Sequence, residues 1–188
     1  NLGFTFDCIS TGFMVNPKQI EIVERLINNQ DKDNILVVVD PIMGDEGKLY
    51  NGMTEQNVAI MRKLCSYADI LIPNYTEACF LANCSYKNKT LTLKNAEELL
   101  ESIRELGAKS VVITSALVEC QNCVIGYDHT IDKSFIIPYE LIDVRFPGTG
   151  DLFSAVLISD ILNGKYFIEE RNTIECKVIN NGIIKGQG

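Results

Sequence analysis

The sequence predicts an α/β fold with a mostly parallel sheet flanked by helices and an antiparallel hairpin near one edge. The unbroken apolar run within residues 34–40 (NILVVVD) is typical of a strand covered on both faces. Strand-like and helix-like segments then alternate up to Thr114. Between residues 117 and 139 this alternation gives way to two short strand-like pieces, NCVIGYD and SFIIPYE, which a polar turn joins.

The first helix carries clear terminal signals. Asn16 is a candidate capping residue, Pro17 stands at the first helical position, and apolar residues recur on one face as far as Ile27. A strand is predicted before this helix at residues 6–10, and strand 34–40 follows it.

The later elements follow from the same criteria. Residues 41–53 are predicted as a loop, and Gly107 is a candidate left-handed cap at the end of a helix. The other predicted helices are 54–66, one beginning near 74, 94–106, 150–162 and one beyond 170, and the other strands are 69–73 and 110–114.

Composition and charge exclude several functional classes. The 188 residues are 46% hydrophobic, so residues 1–188 are expected to form one domain. A net charge of −8, from 25 acidic and 17 scattered basic residues, argues against a nucleic-acid partner. We find no 18-residue apolar run or charged leader, so we expect a cytoplasmic protein without a membrane partner. The chain opens in a strand without Met, which suggests that it is N-terminally incomplete.

The cysteines indicate reduced thiols. There are seven, an odd number, spread through apolar segments rather than clustered as in a small secreted domain. Cys120 and Cys123 form a CxxC pair, but no second pair accompanies it and His129 is the single histidine. We interpret the pair as part of a turn between two strands.

Polar and glycine-rich segments fall where the predicted strands end. DPIMGDEG, PNYTE and TSA each follow a strand, and PGTGD begins a helix after the hairpin. Ligands of an open α/β sheet bind at the carboxyl ends of its strands. The sequence therefore predicts one cleft that these four segments share.

The GTGD segment, residues 148–151, suits an anion. Its glycines let backbone N–H groups converge, and a helix N-terminus adds partial positive charge, so no basic side chain is needed. Asp151 beside that anion could remove a proton from an attacking hydroxyl. Alternatively, Thr149 or Asp151 only caps the helix after a glycine turn.

The two other acidic segments also allow two interpretations each. Asn74 and Glu77 match a capping box, or Glu77 acts through water on a divalent cation while Asn74 faces nucleotide phosphates. Asp40 and Asp45 suit a hydrated magnesium ion, or they belong to an acidic surface turn.

The order DPIMGDxG, PNxxE, VVITS and GTGDLFSA resembles the ribokinase-like superfamily of small-molecule kinases, and within it most closely the pyridoxal kinase family. The resemblance runs from about residue 6 to the last residues. GTGD and NxxE mark the wider superfamily, whereas DPIMGDEGKLY followed by GTGDLF is more specific. The resemblance implies transfer of a phosphoryl group from ATP, with Mg²⁺, to the 5′-hydroxyl of pyridoxal, pyridoxine or pyridoxamine. It also implies a homodimer, and K⁺ or Na⁺ is a candidate further cation.

The resemblance assigns a role to each matching residue. Asp151 is the implied catalytic base at the substrate hydroxyl, and Gly148, Thr149 and Gly150 form the implied anion hole. The implied nucleotide contacts are Asp40, Asp45, Tyr50, Asn74 and Thr114, the implied metal residues are Asp45 and Glu77, and Phe13 is the implied aromatic beside the pyridine ring.

Some features depart from the family pattern and keep alternatives open. Ile72 stands where many members have threonine, and the family's N-terminal segment, with much of the ring pocket, has no counterpart. Hydroxymethylpyrimidine kinase is the nearest alternative, but it usually has cysteine where this chain has Asp151. A non-catalytic nucleotide-binding protein is another alternative. An NAD-linked dehydrogenase is disfavoured because no GxGxxG follows the early strands.

Overall fold

A six-stranded mixed sheet forms the centre of the molecule in the computed structural model, which describes residues 5–31, 34–86, 90–142 and 147–164. The sheet strands are β1 (Cys8–Ser10), β2 (Leu36–Val39), β5 (Ile70–Leu71), β6 (Ser110–Val118), β7 (Gln121–Asp128) and β8 (Lys133–Pro138). Their spatial order is β1-β2-β5-β6-β7-β8. Strands β1, β2, β5 and β6 run parallel to one another, whereas β7 is antiparallel to both of its neighbours, β6 and β8. The predicted parallel sheet and edge hairpin are confirmed.

Five helices lie on the two faces of this sheet in the described residues. They are α1 (Pro17–Asn28), α2 (Glu55–Cys65), α3 (Tyr75–Leu81), α4 (Leu93–Arg104) and α5 (Thr149–Leu162). Adjacent strand residues point to opposite faces, so Val37 and Val39 join the core under α1 to α4, whereas Val38 packs towards α5. The predicted helix beyond residue 170 lies outside the described residues.

The starts of α1 and α4 rest on side-chain caps. Asn16 accepts hydrogen bonds from the backbone N–H groups of Lys18 and Gln19, and Pro17 occupies the first turn. Thr92 accepts from the N–H of Asn95 and begins α4. These caps fix the helix starts within about one residue of the sequence-based expectation.

Two segments differ from their predicted conformation. Residues 41–53 are not a simple loop, because they contain a small antiparallel hairpin of β3 (Gly44–Asp45) and β4 (Lys48–Leu49). Strand β6 continues past Thr114 to Val118 before a tight turn at Glu119 and Cys120, both with positive φ. That turn joins β6 to β7, so the CxxC pair does lie at a turn between two strands, and the six cysteines in the described segments are free thiols.

The helices of the described segments are too short or too polar to cross a membrane. In particular, α5 is apolar around its circumference but has only 14 residues. Its inner side packs on the sheet through Phe153, Leu157 and Ile161.

Candidate active site

A cleft of about 760 Å³ opens at the carboxyl ends of the parallel strands. The predicted site residues that line it are Asp40, Asp45, Tyr50, Asn74, Glu77, Thr114, Gly148, Thr149, Gly150 and Asp151. The predicted shared cleft is therefore present, and it joins segments that lie more than a hundred residues apart in sequence.

Phe13 is the predicted site residue that does not line this cleft. It lies between β1 and α1, and its side chain is half exposed. Because β1 is an outer strand of the described sheet, the segment after it lies at the margin of the structure. The contact of Phe13 with a pyridine ring stays a prediction.

The glycine turn at the start of α5 leaves the first helical N–H groups without a side-chain cap. Gly148 is the N-cap residue and has φ +83°, in the left-handed region that favours glycine. Within the described segments, no side chain caps this helix, so capping by Thr149 or Asp151 does not explain the motif. The helix start is available to an anion in the cleft.

Asp40 lies at the end of β2 and faces the first turns of α5. Its side chain is mostly buried, and Ser154 donates a hydrogen bond from Oγ to Asp40 Oδ2 at 3.3 Å. Burial raises the pKa of Asp40 to about 7, the Ser154 hydrogen bond opposes this shift, and the negative charge of Asp151 adds to it. The charge of Asp151 thus acts on Asp40 across the same cleft.

Asn74 and Glu77 form the predicted capping box at the start of α3. The N–H of Glu77 donates to Asn74 Oδ1 at 2.9 Å, and the N–H of Asn74 donates to Glu77 Oε2 at 2.8 Å. The other carboxyl oxygen, Glu77 Oε1, accepts from the N–H of Met43 at 3.0 Å. The capping interpretation is confirmed, and the contact of Glu77 with a cation stays a prediction.

Glu77 is also a strongly perturbed carboxyl group. Only 3% of its surface is exposed, and this burial raises its pKa to about 8. Hydrogen bonds from the backbone oppose the shift, and nearby Asp40 increases it. A buried acidic group beside a cleft is typical of functional sites, because a bound cation can offset its charge.

The β3–β4 hairpin presents Asp45 and Glu46 to the cleft. Asn74 donates from Nδ2 to the carbonyl of Gly44 at 2.9 Å, which ties the hairpin to α3. Tyr50 follows the hairpin, and its N–H donates to the carbonyl of Met43 at 2.9 Å. The sequence-based expectation of a plain loop missed this hairpin.

Strand β6 carries an irregularity where it meets the cleft. Its pairing with β7 shifts register between Ile113 and Ala116, and Ser115 has φ +58°. The N–H of Thr114 donates to the carbonyl of Pro73 at 2.9 Å. This bulge turns Thr114 and Ser115 towards the cleft.

Several residues that line the cleft were not singled out from the sequence. They are Ser115, Asn122, Tyr139, Tyr86, Thr76 and Ser154. Asn122 lies in β7 and Tyr139 directly follows β8, so their position in the cleft depends on sheet topology. For Ser115 the signal was available, since it follows Thr114 directly in the TSA segment.

The acidic residues suit magnesium only with further ligands. Among the described residues, no group of three or more His, Cys, Asp or Glu side chains could hold a metal ion. Asp45 and Glu77 offer oxygen donors alone, and Mg²⁺ usually takes one or two carboxylates together with water and substrate phosphates. The donor chemistry therefore fits Mg²⁺ that is bound with a nucleotide.

The sheet order and the glycine turn facing acidic loops define a ribokinase-like fold, which the structural neighbours share. The chain belongs to the phosphomethylpyrimidine kinase family, whose family model matches residues 2–170. Both findings agree with the resemblance that the motifs indicate.

Named relatives extend this comparison. A pyridoxal kinase from Arabidopsis thaliana is 31% identical over 158 residues, which is 80% of this chain and 49% of the relative. Among solved structures, a protein from Bacteroides thetaiotaomicron described as a phosphomethylpyrimidine kinase, in a crystal form with pyridoxal, is 31% identical with a TM-score of 0.78, covering 89% of this chain and 59% of that one.

A second solved structure contains a nucleotide. It is the ADP complex of Bacillus subtilis pyridoxal kinase, 25% identical with a TM-score of 0.71, covering 87% of this chain and 60% of that one. The present chain spans about half the length of the curated relatives it matches.

Proposed function

We propose that the full-length protein is a pyridoxal kinase that transfers the γ-phosphoryl group of ATP to the 5′-hydroxyl of pyridoxal, pyridoxine or pyridoxamine. One observation carries this proposal: Asp151 follows an uncapped glycine turn and lines the same cleft as Asp40, Asp45 and Glu77. That cleft combines a site for an anion, a base and oxygen donors for a cation.

The start of α5 stabilises the charge that develops on the transferred group. Residues 148–151 line the cleft, and within the described residues no side chain caps the start of this helix. Fixed N–H dipoles do not need to reorganise as the phosphoryl transition state forms. Their electrostatic stabilisation of that state is usually the largest contribution to catalysis at such sites.

Asp151 serves as the general base. It lies in the first turn of α5 beside the proposed anion site and takes the proton of the 5′-hydroxyl as that oxygen attacks. The neighbouring carboxyl of Asp40 is mostly buried, and this burial raises its pKa. Because the raised pKa favours the protonated form, it limits the negative charge in the cleft when no cation is bound.

Asp45 and Glu77 are the proposed magnesium residues, with Asp40, Tyr50, Asn74 and Thr114 at the nucleotide. Bound Mg²⁺ would neutralise phosphate charge and help align the reacting oxygens. Asp45 is on the exposed hairpin and can reach the ion directly, whereas Glu77 is buried and bonded to backbone, so we place it behind a water molecule.

The test is a direct assay of full-length protein with ATP and Mg²⁺, offered pyridoxal and hydroxymethylpyrimidine in parallel. We expect a 5′-phosphate product from pyridoxal at the higher kcat/KM. Faster phosphorylation of hydroxymethylpyrimidine would favour that kinase instead, and the family description names phosphomethylpyrimidine kinase. ATP binding without any phosphorylation would indicate a non-catalytic nucleotide-binding protein.

Two further parts of the proposal rest on the family resemblance. We propose a homodimer, which sedimentation of the full-length protein tests. We also propose that K⁺ or Na⁺ accelerates the reaction, which replacing either ion with a bulky organic cation tests.

A further inference from the structure

Thr76 contacts the β3–β4 hairpin through its hydroxyl group. The side chain is nearly fully buried, and its Oγ1 accepts a hydrogen bond from the N–H of Gly47 at 2.9 Å. Asn74 and Glu77, in the same turn of α3, bond to backbone at the start of the hairpin. The first turn of α3 and its cap therefore hold the hairpin at the start of β3 and at the turn before β4.

An aromatic ring confines the same hairpin turn from another direction. Gly47 has φ +77°, and a Cβ at this position would lie 2.5 Å from Cδ1 of Tyr86. The Tyr86 ring in turn packs against Tyr75, with ring centroids 5.1 Å apart. The Gly47 backbone thus lies between the Thr76 hydroxyl and an aromatic ring that is itself supported by α3.

The hairpin needs such support because it is very short. Each of its strands has two residues, and an isolated two-stranded hairpin is marginally stable at best in water. It nevertheless presents Asp45 and Glu46 to the cleft. The position of these carboxylates is then set by the contacts that α3 makes with the hairpin backbone.

We propose that Thr76 is a positioning residue, which fixes the β3–β4 hairpin through the Gly47 N–H and so places Asp45 at the phosphates and cation of a bound nucleotide. Thr76 lies at the wall of the cleft, but its hydroxyl accepts the Gly47 N–H, so we assign it a role through the hairpin backbone rather than a contact with substrate or cation. The identity of the ligand rests on the proposed function, whereas the effect on the hairpin does not.

The experiment compares Thr76→Val with Thr76→Ser in the full-length protein. Valine keeps the shape of threonine without the hydroxyl, and serine keeps the hydroxyl. Thr92→Val is the matched control, because Thr92 Oγ1 accepts a backbone N–H at 3.2 Å at the start of α4, away from the cleft lining. Hydrogen exchange of the hairpin amides and the kinetic constants for ATP and pyridoxal are measured for all three.

We expect faster hydrogen exchange in the hairpin of Thr76→Val and a rise of about fivefold in KM for ATP, the size expected for the loss of one neutral hydrogen bond. KM for pyridoxal should stay within about twofold of wild type. Thr76→Ser should resemble wild type in both measurements, and Thr92→Val should leave both unchanged while lowering stability. Should the valine variant fail to fold, Thr76→Ala is measured in the same way.

Three results would overturn the proposal. They are unchanged exchange and KM in Thr76→Val, an equal defect in Thr76→Ser, or an equal rise in both KM values, which would indicate general loosening. If wild-type protein does not phosphorylate pyridoxal, the proposed function fails by itself. The hydrogen exchange and a titration of each variant with ADP and Mg²⁺ then still decide the role of Thr76.

Discussion

Ser154 donates a hydrogen bond to Asp40 across 3.3 Å and thereby joins α5 to the end of β2. Both side chains are mostly buried, so this contact links the glycine turn that carries Asp151 to the first acidic residue of the cleft. The relationship makes the ionisation of Asp40 depend on α5.

Replacing Ser154 with alanine should raise the pKa of Asp40 above its value of about 7. The serine hydroxyl stabilises the ionised carboxylate, and its removal leaves burial and Asp151 to act without this opposing contact. A carboxyl ¹³C NMR titration of Asp40 measures the change. Ser159→Ala, an exposed position on the same helix, is the control, and an identical Asp40 titration in both variants would contradict the assignment.

The free energy of unfolding should depend on pH through Asp40. Its pKa is about 7 in the folded protein against an ordinary value of 3.8, so the folded state binds this proton more tightly. The stabilisation is full below pH 3.8 and is lost as pH rises to about 7. Relative to Asp40→Asn, wild type should lose on the order of 2–4 kcal/mol across that window.

Urea unfolding of both full-length proteins at several pH values measures this difference. Well above pH 8 the difference should no longer change, since Asp40 and Glu77, whose pKa of about 8 also depends on Asp40, are then ionised in both folded and unfolded chains. A difference that grows in favour of wild type with rising pH would mean that Asp40 is stabilised as a carboxylate.

Gly148 and Gly150 should respond differently to alanine. Gly148 has φ +83°, so Gly148→Ala should cost about 1 kcal/mol of stability through backbone strain. Gly150 lies inside α5 with open space around an added Cβ, so Gly150→Ala should leave stability equal or higher. Thermal unfolding compares the two variants, and equal Tm values would argue against a strained glycine turn.

At about pH 4, where a carboxyl group with a pKa of about 8 is protonated and no buried charge contributes, Glu77→Gln should lower the free energy of unfolding by about 1–3 kcal/mol. The side-chain amide of glutamine has one acceptor oxygen. It therefore cannot replace both carboxyl oxygens, which accept from the N–H groups of Met43 and Asn74, and one buried donor loses its partner. Glu98→Gln is the control, since Glu98 is exposed and its carboxylate contacts Lys94 and Asn95 at the surface. Equal stability of the two variants would show that the buried hydrogen bonds contribute little.

The sequence predicted the cleft because the carboxyl ends of parallel strands meet at one edge of the sheet. Asp40, Asn74 and Thr114 each follow or end such a strand, and their proximity needs only that topology. Asp151 was found from the glycine turn before α5. These residues carry local signals in both spacing and residue type.

Other features depend on tertiary contacts that no local pattern reveals. Strands of two residues, such as β3 and β4, are too short to show alternation. Thr76 and Ser154 lie in helices, and their roles follow from which neighbour each hydroxyl meets. Phe13 shows the opposite case, because its implied role came from the resemblance alone and the cleft does not include it.

The most direct measurement is the turnover of Asp151→Asn in the full-length protein, with ATP, Mg²⁺ and pyridoxal. Asparagine keeps the size of the side chain but cannot accept the hydroxyl proton, so turnover should fall about 10²- to 10⁴-fold while the Kd for ATP changes little. Turnover equal to wild type would show that Asp151 is not the base, and the proposed mechanism would then be wrong.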